Sequence, residues 1–248
     1  MWSSVQLMPV LGEHGIMKTE DIVHAIRPGA YYFPKTALVC IENTHNRAGG
    51  TIYPVGFIKD ISDALHQRGI RLHIDGARIW NASIASGVPL YEYAKYADSI
   101  SVCFSKGLGA PVGSMLLGSK EFITRAHKFR KIFGGGMRQS GILAAACQYA
   151  IEHNRTRLAE DHANAKLFAR LLGDCTSFTI RQELVQSNIV LLDFSRSSIS
   201  TDDAIEKCKR EGVLLSAGQR NFVRAVTHLD VPGADIETAA KRILSVLH

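Results

Sequence analysis

Short β-branched apolar runs alternate with helical patterns along the first half of the chain. Residues 36–42 (TALVCIE) read as a buried strand. Phe57, Ile58, Ile61 and Leu65 recur at helical spacing, which predicts a helix over 55–68 with Gly69 as its C-terminal stop. A strand at 71–75 (RLHID), a short helix, and strands at 99–104 (SISVCF) and 114–117 follow. Strands separated by helices imply right-handed βαβ crossovers and a largely parallel sheet, and so an α/β domain.

From Lys120 the texture changes. Helices are predicted over 121–133 and 140–153; the second is Ala-rich, and its pattern extends toward Leu172. Beyond it come a strand at 188–194, a helix at 201–211 closed by Gly212, and a strand at 222–227. A last helix runs from about Asp235 to the end, after Pro232 and Gly233. Strands and helices alternate here around a smaller core. The reading is a large domain over 1–155 and a smaller C-terminal α/β domain over 156–248.

Composition narrows the class. The 248 residues are 46% hydrophobic and 21% charged with a mean hydropathy of +0.02, so a buried core is well supplied. No run of about eighteen apolar residues exists to span a membrane. The opening MWSSVQLMPVLGEHG lacks the basic-then-apolar order of a secretory signal, which points to an intracellular enzyme or binding protein. Lys+Arg 29 against Asp+Glu 23 leaves +6, too modest to indicate nucleic acid by itself. Cys40, Cys103, Cys147, Cys175 and Cys208 are odd in number and form no C-x-x-C. Neither a disulfide framework nor a metal site is expected, and each reads as a small hydrophobe.

In open α/β sheets, ligands bind outside the carboxyl ends of the strands. Three predicted strand ends carry polar residues: Glu42-Asn43-Thr44-His45-Asn46, His73-Ile74-Asp75-Gly76-Ala77-Arg78, and Ser105-Lys106-Gly107. Lys106 precedes a run of small residues that would let a bulky group approach its amine, and a desolvated amine is a nucleophile toward carbonyls. The plainer reading is a surface lysine. Asp75 could meet a protonated pyridine nitrogen or cap a helix; Arg78 could grip a carboxylate or form a solvated ion pair. The basic stretch 125–138 is a solvated helix face or an anion contact, and it lacks the aromatic interleaving of a nucleic-acid patch. Residues 113–120 miss the phosphate-loop pattern G-x-x-x-x-G-K by one position and read as a strand ending in a turn.

HIDGARIWNASIASGVP (73–89), SKGLGAPVGS (105–114) and GGGMRQSGILAAA (134–146) together resemble the threonine aldolase branch of the fold-type-I pyridoxal phosphate (PLP) enzymes. IENTHNRAGG (41–50) and VRAVTH (223–228) fit the same family. The resemblance implies an aspartate-aminotransferase-like large domain, N-terminally incomplete, followed by the smaller domain. By it Lys106 forms the internal aldimine with PLP and Asp75 pairs with the pyridine nitrogen. Arg78 and Arg224 hold cofactor and substrate carboxylate, and His45 lies near the substrate hydroxyl and assists removal of its proton. Lys131 and Arg138 match basic residues that reach a cofactor phosphate from a neighbouring subunit.

The implied activity is retro-aldol cleavage of L-threonine or L-allo-threonine to glycine and an aldehyde, with a small-molecule amino-acid substrate, a homo-oligomer built as a dimer of dimers, and no nucleic-acid or membrane partner. The family's chain begins well before the equivalent of Val5, and that front carries a Ser-Gly-Thr phosphate loop and a stacking aromatic. Two alternatives therefore stand beside the aldolase: a short isoform or pseudoenzyme with weak or no PLP binding, and a related cleavage or β-elimination on the same scaffold. A cytoplasmic setting is expected, with a mitochondrial one as the alternative if a transit peptide precedes this chain.

Overall fold

A computed structural model describes residues 5–247. Strands β1 (Leu38–Glu42), β2 (Arg71–Gly76), β3 (Ser99–Cys103) and β4 (Ser114–Gly118) form one sheet in that order. The first three run parallel, with α2 (Val55–His66) crossing from β1 to β2 and α3 (Ile79–Ser86) and α4 (Leu90–Ala94) from β2 to β3. Only the segment 104–113 joins β3 to β4, too short for a helical crossover, so β4 turns back antiparallel. In register, Glu42 stands beside Asp75 and Asp75 beside Ser101, which lines up the carboxyl ends of the parallel strands.

Local chemistry explains the element ends. After α2, the Gly69 N–H bonds the His66 carbonyl and the Ile70 N–H bonds that of Leu65. After α8 (Thr201–Arg210), Gly212 and Val213 repeat the arrangement on Lys209 and Cys208. Both glycines have positive φ, as this stop requires. At the other end of α8 the Ser200 hydroxyl accepts the Asp203 N–H, and Ser119 does the same for Phe122 in α5 (Lys120–Ile132).

The C-terminal strands β5 (Ile189–Asp193), β6 (Ser216–Ala217) and β7 (Phe222–Val226) make an antiparallel sheet of order β5-β7-β6. Helices α7 (Leu158–Leu171), α8 and α9 (Gly233–Leu247) complete this part. One buried cluster draws on residues from Ile22 to Leu158, including Ile58, Ile61, Leu65, Leu72 and Ile74. A second draws on residues from Ala165 to Leu247, including Phe168, Leu192, Val223 and Ile243.

Two expectations need correction, and one element is unforeseen. The run 36–42 is not a buried strand: within β1 only Ile41 is buried and Cys40 is exposed. The reason is that β1 is the outer strand of the sheet, a position that apolar composition alone does not reveal. The long helical stretch does not continue to Leu172. It divides into α6 (Gly141–Asn154) and α7, separated by 155–157. The chain also forms a short helix, α1 (Thr19–Ala25), that the periodicity does not predict. Among the described residues no helix is long and apolar enough to cross a membrane.

Candidate active site

After β1 the chain makes a tight loop in which His45 pairs with Thr51. The Glu42 carboxylate accepts the Asn46 N–H at 3.0 Å, and its other oxygen lies 3.8 Å from His45 Nε2. His45 Nδ1 accepts the Ala48 N–H at 3.2 Å, so the neutral ring carries its proton on Nε2. Gly15 lies against this imidazole; a Cβ there would fall 2.5 Å from His45 Cγ, so only glycine admits the contact.

At the end of β2, Asp75 is exposed and accepts the Ala77 N–H at 3.0 Å. No cation pairs with it among the described residues. It is not the cap of α3, whose first turn is preceded by Arg78. Arg78 is half-buried, and among the described residues no hydrogen bond or ion pair engages its guanidinium. Burial pushes its pKa down and the Arg224 charge adds to this, against Glu42, Cys103 and Asp75. Arg224 comes from β7, where it donates to Asn46 Oδ1 at 2.6 Å and to Ser216 Oγ at 3.3 Å. Two guanidiniums near enough to feel each other's charge, one of them without a hydrogen-bond or ion-pair partner among the described residues, make a site for an anion.

Lys106 stands three residues beyond β3, half-buried, with no ion pair on its amine among the described residues. Its neighbour Gly107 is buried against Leu158 and Asn81. The structure thus gathers Glu42, His45, Asp75, Arg78 and Arg224 at adjacent strand ends, with Lys106 following the next one. It does not bring Lys131 or Arg138 to them. Both are exposed on the stretch from α5 to α6, where Lys131 folds over Gly136. A cavity of about 1130 Å³ opens along the outer edge of β1, lined by Glu42, His45 and Asp75 on the site side and by Leu191 and Phe222 on the other. No group of acidic, His or Cys side chains suited to a metal occurs among the described residues.

Two contributions escaped the sequence. Asn46, which orients Arg224, and His228, which bonds the Lys106 main chain, both act across more than a hundred residues. Each lies inside a motif that the resemblance picked out, yet nothing in the spacing shows its partner.

Residues 1–195 match the family described as Beta-eliminating lyase. The chain belongs to that family. Low-specificity L-threonine aldolase 1 of Arabidopsis thaliana is 41% identical over 227 residues, covering 90% of this chain and 63% of that protein. The low specificity L-threonine aldolase of Escherichia coli O157:H7 is 41% identical over 229 residues, 92% of this chain and 66% of that protein. The chain therefore spans somewhat under two thirds of the length of these two relatives. In fold it is similar to Leishmania major threonine aldolase, with a TM-score of 0.76 at 18% identity over 94% of this chain and 68% of that one. Plasmodium falciparum ornithine delta-aminotransferase gives 0.60 at 12% identity, over 85% and 55%. The fold of this beta-eliminating lyase family member is that of the fold-type-I PLP enzymes.

Proposed function

We propose that this chain, like the L-threonine aldolases it is similar to, is an aldolase, and that it performs the retro-aldol cleavage of L-threonine, L-allo-threonine and related β-hydroxy-α-amino acids to glycine and an aldehyde. The observation that carries the reading is the set of unpaired groups at adjacent strand ends: an amine on Lys106, a carboxylate on Asp75 and a guanidinium on Arg78 opposite Arg224. Lys106 and Arg78 are half-buried, where structural side chains of these types are normally paired, and Asp75 stands exposed beside them.

The donor set fits PLP at its ring end. Lys106 would hold the aldehyde carbon, Asp75 would keep a proton on the ring nitrogen, and Arg78 would flank the ring. When bound, PLP supplies an electron sink for the pair left by the broken Cα–Cβ bond. Everything else falls to the chain. Arg78 and Arg224 bind the substrate carboxylate and so decide which bond at Cα faces the ring. His45 presents Nε2–H to the β-hydroxyl, and the Glu42 carboxylate 3.8 Å away is a group able to take the hydroxyl proton. His45 in this tautomer orients that proton's loss and is not itself the acceptor.

For the phosphate the chain offers Lys131 and Arg138, and their exposed position suits contact with a second copy. Exposed Phe129, Ile132, Met137, Ile142 and Tyr149 on the same stretch support a homo-oligomer, taken here as a dimer of dimers. The division at residue 155 is part of the proposal; the two buried clusters support a boundary there to within several residues, since the first ends at Leu158 and the second begins at Ala165. Threonine breakdown and glycine formation, in the cytoplasm, are the setting that this chemistry suits.

The deciding experiment adds PLP to the purified chain and follows the visible band that forms on the amine. A band in the wild type that disappears in Lys106→Ala supports the reading, together with glycine release from L-threonine or L-allo-threonine. A chain with no band, or a band that survives loss of Lys106, rejects it.

A further inference from the structure

His228 lies four residues beyond Arg224, just past the end of β7. Its ring stands between two acceptors. Nδ1 is 3.1 Å from Asp230 Oδ2, and Nε2 is 3.1 Å from the main-chain carbonyl oxygen of Lys106. A carboxylate and a carbonyl can only accept. Neutral imidazole has one N–H, so it satisfies one of them and sets a lone pair against the other. Imidazolium donates to both.

The atom it holds is the hinge of the lysine turn. The Lys106 carbonyl also accepts the Gly109 N–H at 2.8 Å, which closes the turn 106–109. Asn154 Nδ2 donates to the Leu108 carbonyl at 2.8 Å. Gly109 has positive φ, and Leu229, the neighbour of His228, lies where a Cβ would be. The segment behind is fixed as well: Thr227 Oγ1 donates to the Asp161 carbonyl at 2.6 Å, and Asn188 Nδ2 donates to the Thr227 carbonyl at 3.0 Å. The charged groups around the ring are Asp230 on its own segment and Asp161 on α7, the latter paired with Arg157.

We propose that His228 is a positioning residue for Lys106: charged, it ties Asp230 to the Lys106 main chain and fixes the lysine turn, and it slackens that turn when it loses its proton. The tie is a property of the turn itself; its consequence for catalysis rests on the reading of Lys106 given above.

Hydrogen exchange of the cofactor-free chain, followed by mass spectrometry on peptides covering 106–110 and corrected for intrinsic rates, reads the tie directly. His228→Leu is expected to exchange about tenfold faster in these peptides, from the loss of one charge-assisted hydrogen bond. His228→Gln, whose amide can still donate to the carbonyl, should recover most of that protection. In the wild type, protection of the turn should fall as the pH is raised; in His228→Gln, and in the exposed Asp230→Asn, that pH dependence should shrink. Exchange in His228→Leu that equals the wild type, or rises equally across the whole chain, overturns the proposal. Should His228→Leu fail to fold, an unchanged pH dependence in both other variants overturns it too.

With PLP added, the pH dependence of the visible band should move in His228→Gln. A wild type without a band rejects the cofactor reading and leaves the exchange result standing. A band whose pH dependence is the same in both proteins rejects the effect of His228 on Lys106.

Discussion

Arg78 shows what a functional position costs a single residue. Its half-buried guanidinium has no hydrogen-bond or ion-pair partner among the described residues and feels the like charge of Arg224, so it is held against both desolvation and repulsion. Arg78→Met should therefore raise stability, by about 1 kcal/mol or less, while raising KM for an amino-acid substrate at least about tenfold. Thermal melts and steady-state kinetics on the same variant check both halves, and a variant that loses stability contradicts the account. His162 makes a pH prediction. Burial, with Lys166 adding, pushes its pKa down from 6.5 to about 4, while Asn81 Nδ2 meets its Nε2 at 3.1 Å. The unfolded chain takes up a proton below about 6.5 and the folded one does not, so the contribution is complete above that pH. It is lost as pH falls from 6.5 toward 4, by about 3 kcal/mol at most. Asp161 beside it acts in the opposite sense, because burial raises its carboxyl. The test is thus the difference between wild type and His162→Gln: denaturation midpoints should converge toward pH 4, and parallel curves would refute it. Lys106, Asp75 and Arg78 were legible in the sequence because each lies at or within three residues of the carboxyl end of an apolar strand run. His162 was not, and of Asn46 only its place at a polar strand end was, since a polar residue does not announce a partner on another element.

At the scale of elements, what periodicity and caps specify came through. The helices near 55–68, 121–133 and 201–211, together with both glycine stops, stand within a few residues of their predicted places. Ser200 caps α8 through the Asp203 N–H at 3.1 Å, so Ser200→Ala should cost about 1 kcal/mol and Ser200→Asp far less. Urea midpoints of the two variants measure this, and equal losses would show that the cap is not the cause. The seven-residue α1 and the two-residue β6 escaped, because neither is long enough to display a period. Exposure escaped as well. Every residue of β4 is exposed although Met115, Leu116 and Leu117 are apolar, since which strand lies at a sheet's edge is decided by its neighbours.

Across the whole molecule, Asn81 joins the two halves. From α3 its amide donates to His162 Nε2 and, at 3.3 Å, to Asn188 Oδ1, and Asn188 in turn donates to the Thr227 carbonyl. Asn81→Ala leaves two buried acceptors without that donor, a loss of about 1–3 kcal/mol. It should also turn a single calorimetric transition toward two, one for each buried cluster. A variant that melts in one unshifted transition would show that the halves are coupled elsewhere. The sequence by itself determined the α/β class, the order of long elements, and the residue types waiting at the strand ends, because periodicity, caps and strand-end chemistry are local properties of the chain. Only the tertiary structure decided that β1 and β4 are edges, that Arg224 reaches Asn46, and that His228 closes on the Lys106 carbonyl. Those contacts join segments up to about 180 residues apart, through hydrogen bonds and charges that act over a few ångströms, and the fold alone brings such distances down to that range.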